Sequence, residues 1–301
     1  MEQQCLQGII NVLKPPGITS HDVINKLRRI LGLKRIGHGG TLDPGAAGVL
    51  LTAVGKATRV LEFLTEENKT YLAMLRLGAA TTTQDSFGTT VFRGEYSHLT
   101  DHDVHSTFEK FRGMVWQTPP MVSAIKHMGR KLYQLAREGV EIPREPRLIK
   151  IISLKIIQIN FPIITFEVTC SKGTYVRTLC HDIGLTLGCG GHLYCLLRTS
   201  VGDFNLDSSF TLEEITSYYQ TGNLLFLSPM TTALKKYQKI SIPTILIEQL
   251  KNGRNIAVDL NYPCDGNKEI FVVSDKDNLI AIGHLNCSDG RVLFIPKKVF
   301  L

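Results

Sequence analysis

The sequence predicts an α+β protein, with a mixed, largely antiparallel central sheet and flanking helices, followed by a small β-rich tail. Three observations predict this. Short apolar or alternating runs of strand length are interspersed with segments whose apolar residues recur at helical spacing. A composition break near 228–243, where Pro229, the Lys235-Lys236 pair and Pro243 surround a polar stretch, divides residues 1–236 from 237–301. Beyond the break, short strands follow at regular spacing between Asp, Asn and Gly turns, a pattern that favours a small β-barrel.

Taken in order, residues 8–13 are a short apolar strand ending at the Pro15-Pro16-Gly17 turn. Ser20 is placed to cap a helix over about 21–31, with Val23, Ile24, Leu27, Ile30 and Leu31 on one face and Asn25, Lys26 and Arg29 opposite. Gly32 ends it. The run from Val49 to Val54 reads as a buried strand, Lys56 to Phe63 returns to a helical pattern, and Tyr71 to Leu77 alternates as a strand closed by Gly78. Thr100 caps a further amphipathic helix with Val104, Phe108 and Phe111 inward. Residues 113–139 mix prolines, glycines and basic residues around aromatics, and read as a structured insertion that is helical over Lys131 to Arg137. Strands are expected over 147–157 and 163–170, then a turn at Ser171-Lys172-Gly173 and a helix from about Val176 to Leu187. In the tail a short helix from Ile245 stops at Gly253, and strands follow at 270–273, 279–282 and 292–295.

Composition narrows the partners. The chain has 301 residues, 43% hydrophobic and 20% charged, which is ample for a core and unlike a disordered chain. Its net charge of +7 makes nucleic acid the first candidate partner and an acidic membrane surface the second. Residues 1–236 hold 26 Lys and Arg against 20 Asp and Glu, whereas the tail is nearly balanced at eight against seven. Lys26, Arg28, Arg29, Lys34 and Arg35 crowd beside the glycine-rich stretch that follows them. The most apolar stretch, Ile151 to Val168, is broken by Lys155, Gln158, Asn160 and Pro162, so no transmembrane span is expected. Met1-Glu2-Gln3-Gln4 has neither the basic start nor the apolar run of a signal peptide, and seven cysteines without framework spacing fit a reducing compartment. The expectation is a soluble, cytoplasmic protein.

The stretch GHGGTLDP at 37–44 is the most informative in the chain. Asp43 stands between a glycine-rich approach and Pro44, which pushes the residue before it out of the helical region and holds the aspartate on an extended turn. A turn carboxylate at the lip of a buried strand suits chemistry on a bulky substrate. Two other patterns offer themselves and fall short. GHGGTLDPGAAG has neither the GxGxxG spacing of a dinucleotide fold nor the Lys-Ser/Thr of a phosphate loop. Cys180 with Cys189, His192 and Cys195 lacks the CxxC pairs of a zinc site, so no metal is expected.

KPPGITSHDVI at 14–24, GHGGTLDP, KTYLAMLRLG at 69–78 and SKGTYVRTL at 171–179 occur in an order and spacing that resemble the four sequence blocks of the bacterial TruB family of tRNA pseudouridine synthases. The resemblance is dense to about residue 200 and looser beyond, where position, length and the closing GRVLFIPKKVFL are similar to the RNA-binding PUA domain. It implies the pseudouridine synthase fold over 1–236 with an RNA-binding insertion at about 100–140, a PUA-like barrel over 237–301, and conversion of uridine 55 in the T-arm loop of tRNA. Isomerising uridine needs no redox cofactor. By the resemblance Asp43 is the nucleophile, Arg177 its ionic partner, and Tyr71 the ring that stacks on the target base. Lys14, His38, Lys69, Asp85 and Leu196 contact substrate or RNA, Leu196 as an apolar wall of the base pocket. Thr82 stands where the family often has aspartate, and Gly39 where it often has threonine. The implied partner is tRNA, with no membrane and no obligatory protein partner, and the implied state a monomer. Two alternatives stay open at this point: a non-catalytic tRNA-binding or tRNA-folding protein on the same scaffold, and a synthase acting on a different RNA.

Overall fold

The computed structural model describes residues 6–258, 269–273, 278–288 and 291–301. Its first half runs β1 (Gly8–Lys14), α1 (Ser20–Leu31), β2 (Ile36–His38), β3 (Ala47–Val54), α2 (Leu61–Glu66), β4 (Lys69–Leu77), β5 (Ala79–Thr81), β6 (Thr90–Arg93), α3 (Asp101–Glu109) and β7 (Gly113–Gln117). A small hairpin, β8 (Lys126–His127) and β9 (Arg130–Lys131), then precedes α4 (Leu132–Arg137), β10 (Arg147–Asn160), β11 (Ile163–Cys170), α5 (Val176–Thr186), β12 (Gly191–Val201), β13 (Phe204–Asn205) and α6 (Leu212–Gln220). The last segment holds β14 (Gln238–Ser241), α7 (Thr244–Lys251), β15 (Ile256–Val258), β16 (Glu269–Val273), β17 (Leu279–Ser288) and β18 (Arg291–Val299).

The central sheet has the strand order β1-β3-β12-β4-β11-β10-β7, with β2 added to β3 and β13 to β12. Only β12 and β3 run parallel, so the sheet is mixed and largely antiparallel as expected. Strand β4 shows why these residues choose the sheet. Lys69, Tyr71, Ala73, Leu75 and Leu77 alternate to the buried face, as period-two patterning requires. Phe108 of α3 meets Phe166 of β11 edge to face at 5.4 Å, and Leu179, Cys180 and Ile183 of α5 complete the same core. Two glycines set close approaches. A Cβ on Gly184 would lie 2.2 Å from the backbone nitrogen of Gly191, so α5 can rest directly on the start of β12. Gly48 has φ +111°, and a Cβ there would lie 2.2 Å from the carbonyl oxygen of Arg198, at the parallel contact of β3 with β12.

Several expectations need correcting. The cap of α1 is Thr19, not Ser20: Thr19 and Asp22 form a reciprocal capping box, and Ser20 turns its hydroxyl to Leu42 instead. Residues 56–63 divide into a 3-10 turn over Gly55–Val60 and the start of α2. The expected insertion begins inside the central sheet, because Gly113–Gln117 pairs with β10 as its edge strand. Helix α6 and the short strands β14 and β15 were not anticipated.

The tail forms a five-stranded sheet of order β14-β16-β17-β18-β15. Its end strands are not paired with each other among the described residues, so a closed barrel is not shown. Residues 274–277 and 289–290, which fall in the turns expected between the tail strands, lie outside the described residues, as does Met1 to Gln4, and β17 runs on to Ser288, past the expected end of that strand at 282. Leu279, Ile282 and Phe300 pack in one cluster with Val60 and Phe63 and share it with Val49, Leu51 and Ala53 of β3. Cys170, Cys180, Cys189 and Cys195 are free thiols, whereas Cys287 is disulfide-bonded, which the cysteine spacing did not announce. No helix among the described residues is long and apolar enough to cross a membrane.

Candidate active site

The turn from Gly39 to Ala46 is clamped along its length by groups that reach it from other elements. Before the aspartate, the Ser20 hydroxyl accepts from the Leu42 amide at 2.9 Å and donates to the Leu42 carbonyl at 3.0 Å. After it, the Gly17 amide donates to the Pro44 carbonyl at 2.8 Å, and the Lys14 ammonium donates to the carbonyls of Pro15, Pro44 and Ala46 at 2.9, 3.2 and 2.7 Å. From below, buried Arg198 donates to the carbonyls of Val49 at 2.7 Å and Gly40 at 3.2 Å. Asp43 is therefore fixed by the backbone on both sides, which is what a preorganised reactive group requires.

Its carboxylate meets Arg177 in a forked pair. Nε donates to Oδ2 at 2.8 Å and Nη2 to Oδ1 at 3.2 Å. Arg177 is 3% exposed and Asp43 39%, so the counter-charge is sealed in while the carboxylate faces the cavity. The remaining guanidinium donors go to the carbonyls of Thr83 at 3.1 Å and Val122 at 2.8 Å, which locks the fork. Val176 begins α5, and the helix carries Arg177 in its first turn. Asp85 Oδ2 lies 3.9 Å from the same Nε, and Asp85 is held by the Thr83 hydroxyl and the Phe87 amide. Asp43, Asp85, Arg177, Phe87, Tyr194 and Leu196 line one cavity of about 300 Å³. Two carboxylates and one arginine at one end and apolar walls elsewhere suit a planar, polar-edged ring.

Tyr71 is buried on β4, in register with Arg198 of β12, and is not among the residues lining this cavity. Burial pushes its phenol above the ordinary value, while the positive charge of Arg198 pulls the other way. His38 is half-buried on β2 with Nδ1 unpartnered among the described residues, and burial beside Arg198 holds its imidazole below the usual value.

Two residues expected to contact RNA are buried in the structure. Lys14 is wholly buried, and desolvation lowers its ammonium to about 8; its donors are spent on the loop carbonyls just named. Lys69 is 6% exposed, lowered to about 8 by burial, and donates to the carbonyls of Thr65 and Glu67 at 2.6 Å each. Arg198 escaped the sequence reading, although a charge inside the strand LYCLLRTSV was a signal available to it. Phe87 and Tyr194 were missed as well, because exposure on a loop or strand carries no mark in the sequence. In the Cys189–Cys195 segment, Cys189 is buried and His192 sets Nδ1 against the Ala79 carbonyl at 2.9 Å.

Residues 28–176 match the TruB family pseudouridylate synthase N-terminal domain, and residues 177–235 match the tRNA pseudouridylate synthase B C-terminal domain. The chain is 50% identical to the tRNA pseudouridine synthase B of Heliobacterium modesticaldum, over 100% of this chain and 97% of that protein. It is 40% identical to that of Pelotomaculum thermopropionicum, over 98% and 95%. Among solved structures it resembles a Cbf5-Nop10-Gar1 complex (TM-score 0.76, 28% identity, 100% of this chain and 86% of that one). It also resembles an H/ACA RNP bound to a substrate RNA containing 2'-deoxyuridine (TM-score 0.74, 26% identity, 98% and 85%). With both domain matches, near full-length relatives and the shared fold in agreement, the chain belongs to the TruB family of pseudouridylate synthases and is an isomerase.

Proposed function

We propose that this enzyme binds tRNA through the T arm and isomerises uridine 55 to pseudouridine, with Asp43 as the nucleophile. The arrangement that carries the reading is the forked Arg177–Asp43 pair at the wall of the cavity, with the aspartate's turn clamped from both sides. The names of the relatives supply the substrate class.

The reaction breaks the bond from N1 of the base to the anomeric carbon, turns the base, and joins C5 to that carbon. The hydrogen of C5 departs and N1 gains one, so no electrons enter or leave. An ionised carboxylate is the reagent required, attacking either C6 of the base or the anomeric carbon. Arg177 favours that ionised form and aims it. Asp85 sits beside the same guanidinium to meet the polar edge of the base, and Leu196 walls the apolar side. Tyr71, in register with Arg198, is assigned contact with the base once it has entered, and a late proton transfer.

The target lies in a folded loop and must be flipped out, at a cost of a few kcal/mol. His38 is assigned contact with the rearranged loop. The positive excess of residues 1–236, the insertion at about 100–140 and a PUA-like unit over 237–301 are assigned to the rest of the tRNA. Binding then weakens steeply as salt rises. The enzyme is assigned to the cytoplasm, acting as a monomer without an obligatory protein partner or cofactor.

The test is tritium release from an unmodified tRNA transcript labelled at C5 of uridine. Wild type should release about one equivalent per tRNA and Asp43→Asn none, with both proteins still binding the tRNA. Full release by Asp43→Asn removes the aspartate from the mechanism. No release by wild type removes the substrate.

A further inference from the structure

We propose that Phe87 and Tyr194 form a stacking subsite at the edge of the Asp43 cavity, holding unpaired nucleobases that flank the nucleotide being isomerised. This rests on the RNA substrate proposed above. Both rings line the cavity, yet Phe87 is 80% exposed and Tyr194 50%. Scattered exposed aromatics need no explanation on their own, but these two sit on a built mount. The Phe87 amide donates to Asp85 Oδ1 at 3.0 Å. The Ser86 hydroxyl bonds the carbonyls of Leu193 and Tyr194, each at 3.2 Å, and the Leu193 amide bonds the Gln84 carbonyl at 3.0 Å. The segment carrying Phe87 is thus stitched to the strand carrying Tyr194, and the Asp85 that fixes Phe87 also stands 3.9 Å from Arg177.

The surface beneath Phe87 is bare for a reason. A Cβ on Gly45 would come within 2.3 Å of the Phe87 ring, so the residue two places after Asp43 leaves the space that the ring occupies. One side of the ring rests there and the rest meets solvent. Beside Tyr194, the Arg76 guanidinium stands 5.8 Å from the ring centroid, which places a positive charge where a phosphate would pass. Exposed aromatic rings with a cation alongside, at the entrance to a cavity, match the chemistry of single-stranded nucleic acid: bases stack on the rings and the backbone follows the charge. Flipping one base out of a loop unstacks its neighbours, and the two rings offer them a replacement surface.

The test follows initial rates of tritium release from a T-arm stem-loop RNA with wild type, Phe87→Ala, Phe87→Leu, Phe87→Trp and Tyr194→Ala. The same proteins are assayed on RNAs that are abasic at either nucleotide flanking the target. Stacking on a base predicts a KM about tenfold higher for Phe87→Ala, with kcat changed less than about threefold. Phe87→Leu should match Phe87→Ala, and Phe87→Trp should restore wild-type KM. One abasic RNA should cost wild type the same factor and cost Phe87→Ala nothing more. A wild-type KM in Phe87→Leu reduces the ring to an apolar filler and overturns the proposal, as do equal abasic penalties in wild type and both alanine variants. Unchanged KM in the variants with release by wild type overturns the stacking subsite alone. Absence of release by wild type from every RNA overturns the substrate reading and this subsite with it.

Discussion

At Asp43 one guanidinium supplies both the counter-charge and the aim. Arg177 spends two donors on the carboxylate and two on the carbonyls of Thr83 and Val122, so the planar fork has one orientation open to it. Lysine keeps the charge but not the fork. Arg177→Lys is expected to lower kcat by about 100-fold with a much smaller change in KM, measured by tritium release. A fall of less than about threefold would show that charge alone suffices. Lys14 makes a second residue-level prediction. Desolvation holds its ammonium at about 8 against an ordinary 10.5, so between those values the folded chain binds fewer protons than the unfolded one. The stability contributed by this group is fully present above about 10.5 and is lost as pH falls through about 8. Lys14→Met leaves three carbonyls unmet and is expected to melt lower than wild type throughout. The gap should widen as pH rises from 7.5 to 9.5. A gap that narrows over that range would contradict the burial account.

Helix α5 carries Arg177 in its first turn and a half-buried acid, Asp182, one and a half turns further on. Asp182 is raised from the ordinary 3.8 to about 6 by desolvation, with no opposing charge among its causes. Its stability contribution is present below about 3.8 and lost as pH rises through 6, because the folded state must then ionise a poorly solvated carboxyl. Asp182→Asn is therefore expected to raise the melting temperature, by little at pH 4 and by the equivalent of about 1–2 kcal/mol at pH 7. Thermal melts across that range check it, and a gain independent of pH would refute it. Elements were legible in the sequence where their own residues carried the signal. Strand β4 alternates over its length, and α3 announces itself through Thr100, Asp103 and an apolar face. Strand β7 did not, because its short GMVWQ run lies at a sheet edge and exposes Met114 and Trp116. Thr19 and Ser20 are both good caps, and only the reach of Asp22 back to Thr19 separates them. At the site, the pairing of Asp43 with Arg177 was legible through the blocks around them, whereas the burial of Lys14 was not. Its acceptors include Pro44 and Ala46, thirty or more residues away, and an ammonium in a motif looks the same whether it meets phosphate or backbone.

Across the whole molecule, the tail sheet does not stand apart from the sheet that carries the site. Phe300, Leu279 and Ile282 share a core with Val60 and Phe63, and through them with Val49 and Leu51 of β3, the strand entered directly from the Asp43 turn. Polar ties run along the same seam. Arg59 donates to the Val299 carbonyl and lies 4.9 Å over the Phe300 ring, and Lys298 pairs with Glu62. A continuous apolar core makes the two sheets unfold as one cooperative unit, since exposing either side strips the other of its packing. Phe300 is 3% exposed, and truncating a buried phenylalanine to alanine typically costs about 3–5 kcal/mol. Phe300→Ala is accordingly expected to lower a single melting transition in calorimetry, with the environment of Trp116, far along the central sheet on β7, changing at the same temperature. Were the sheets independent, Phe300→Ala would split the transition, and the fluorescence of Trp116 would keep its wild-type midpoint. The shared core has a mechanical consequence: the tail sheet is tied through Phe300 and Phe63 to β3, the strand entered from the Asp43 turn, so the two sheets keep a fixed spacing.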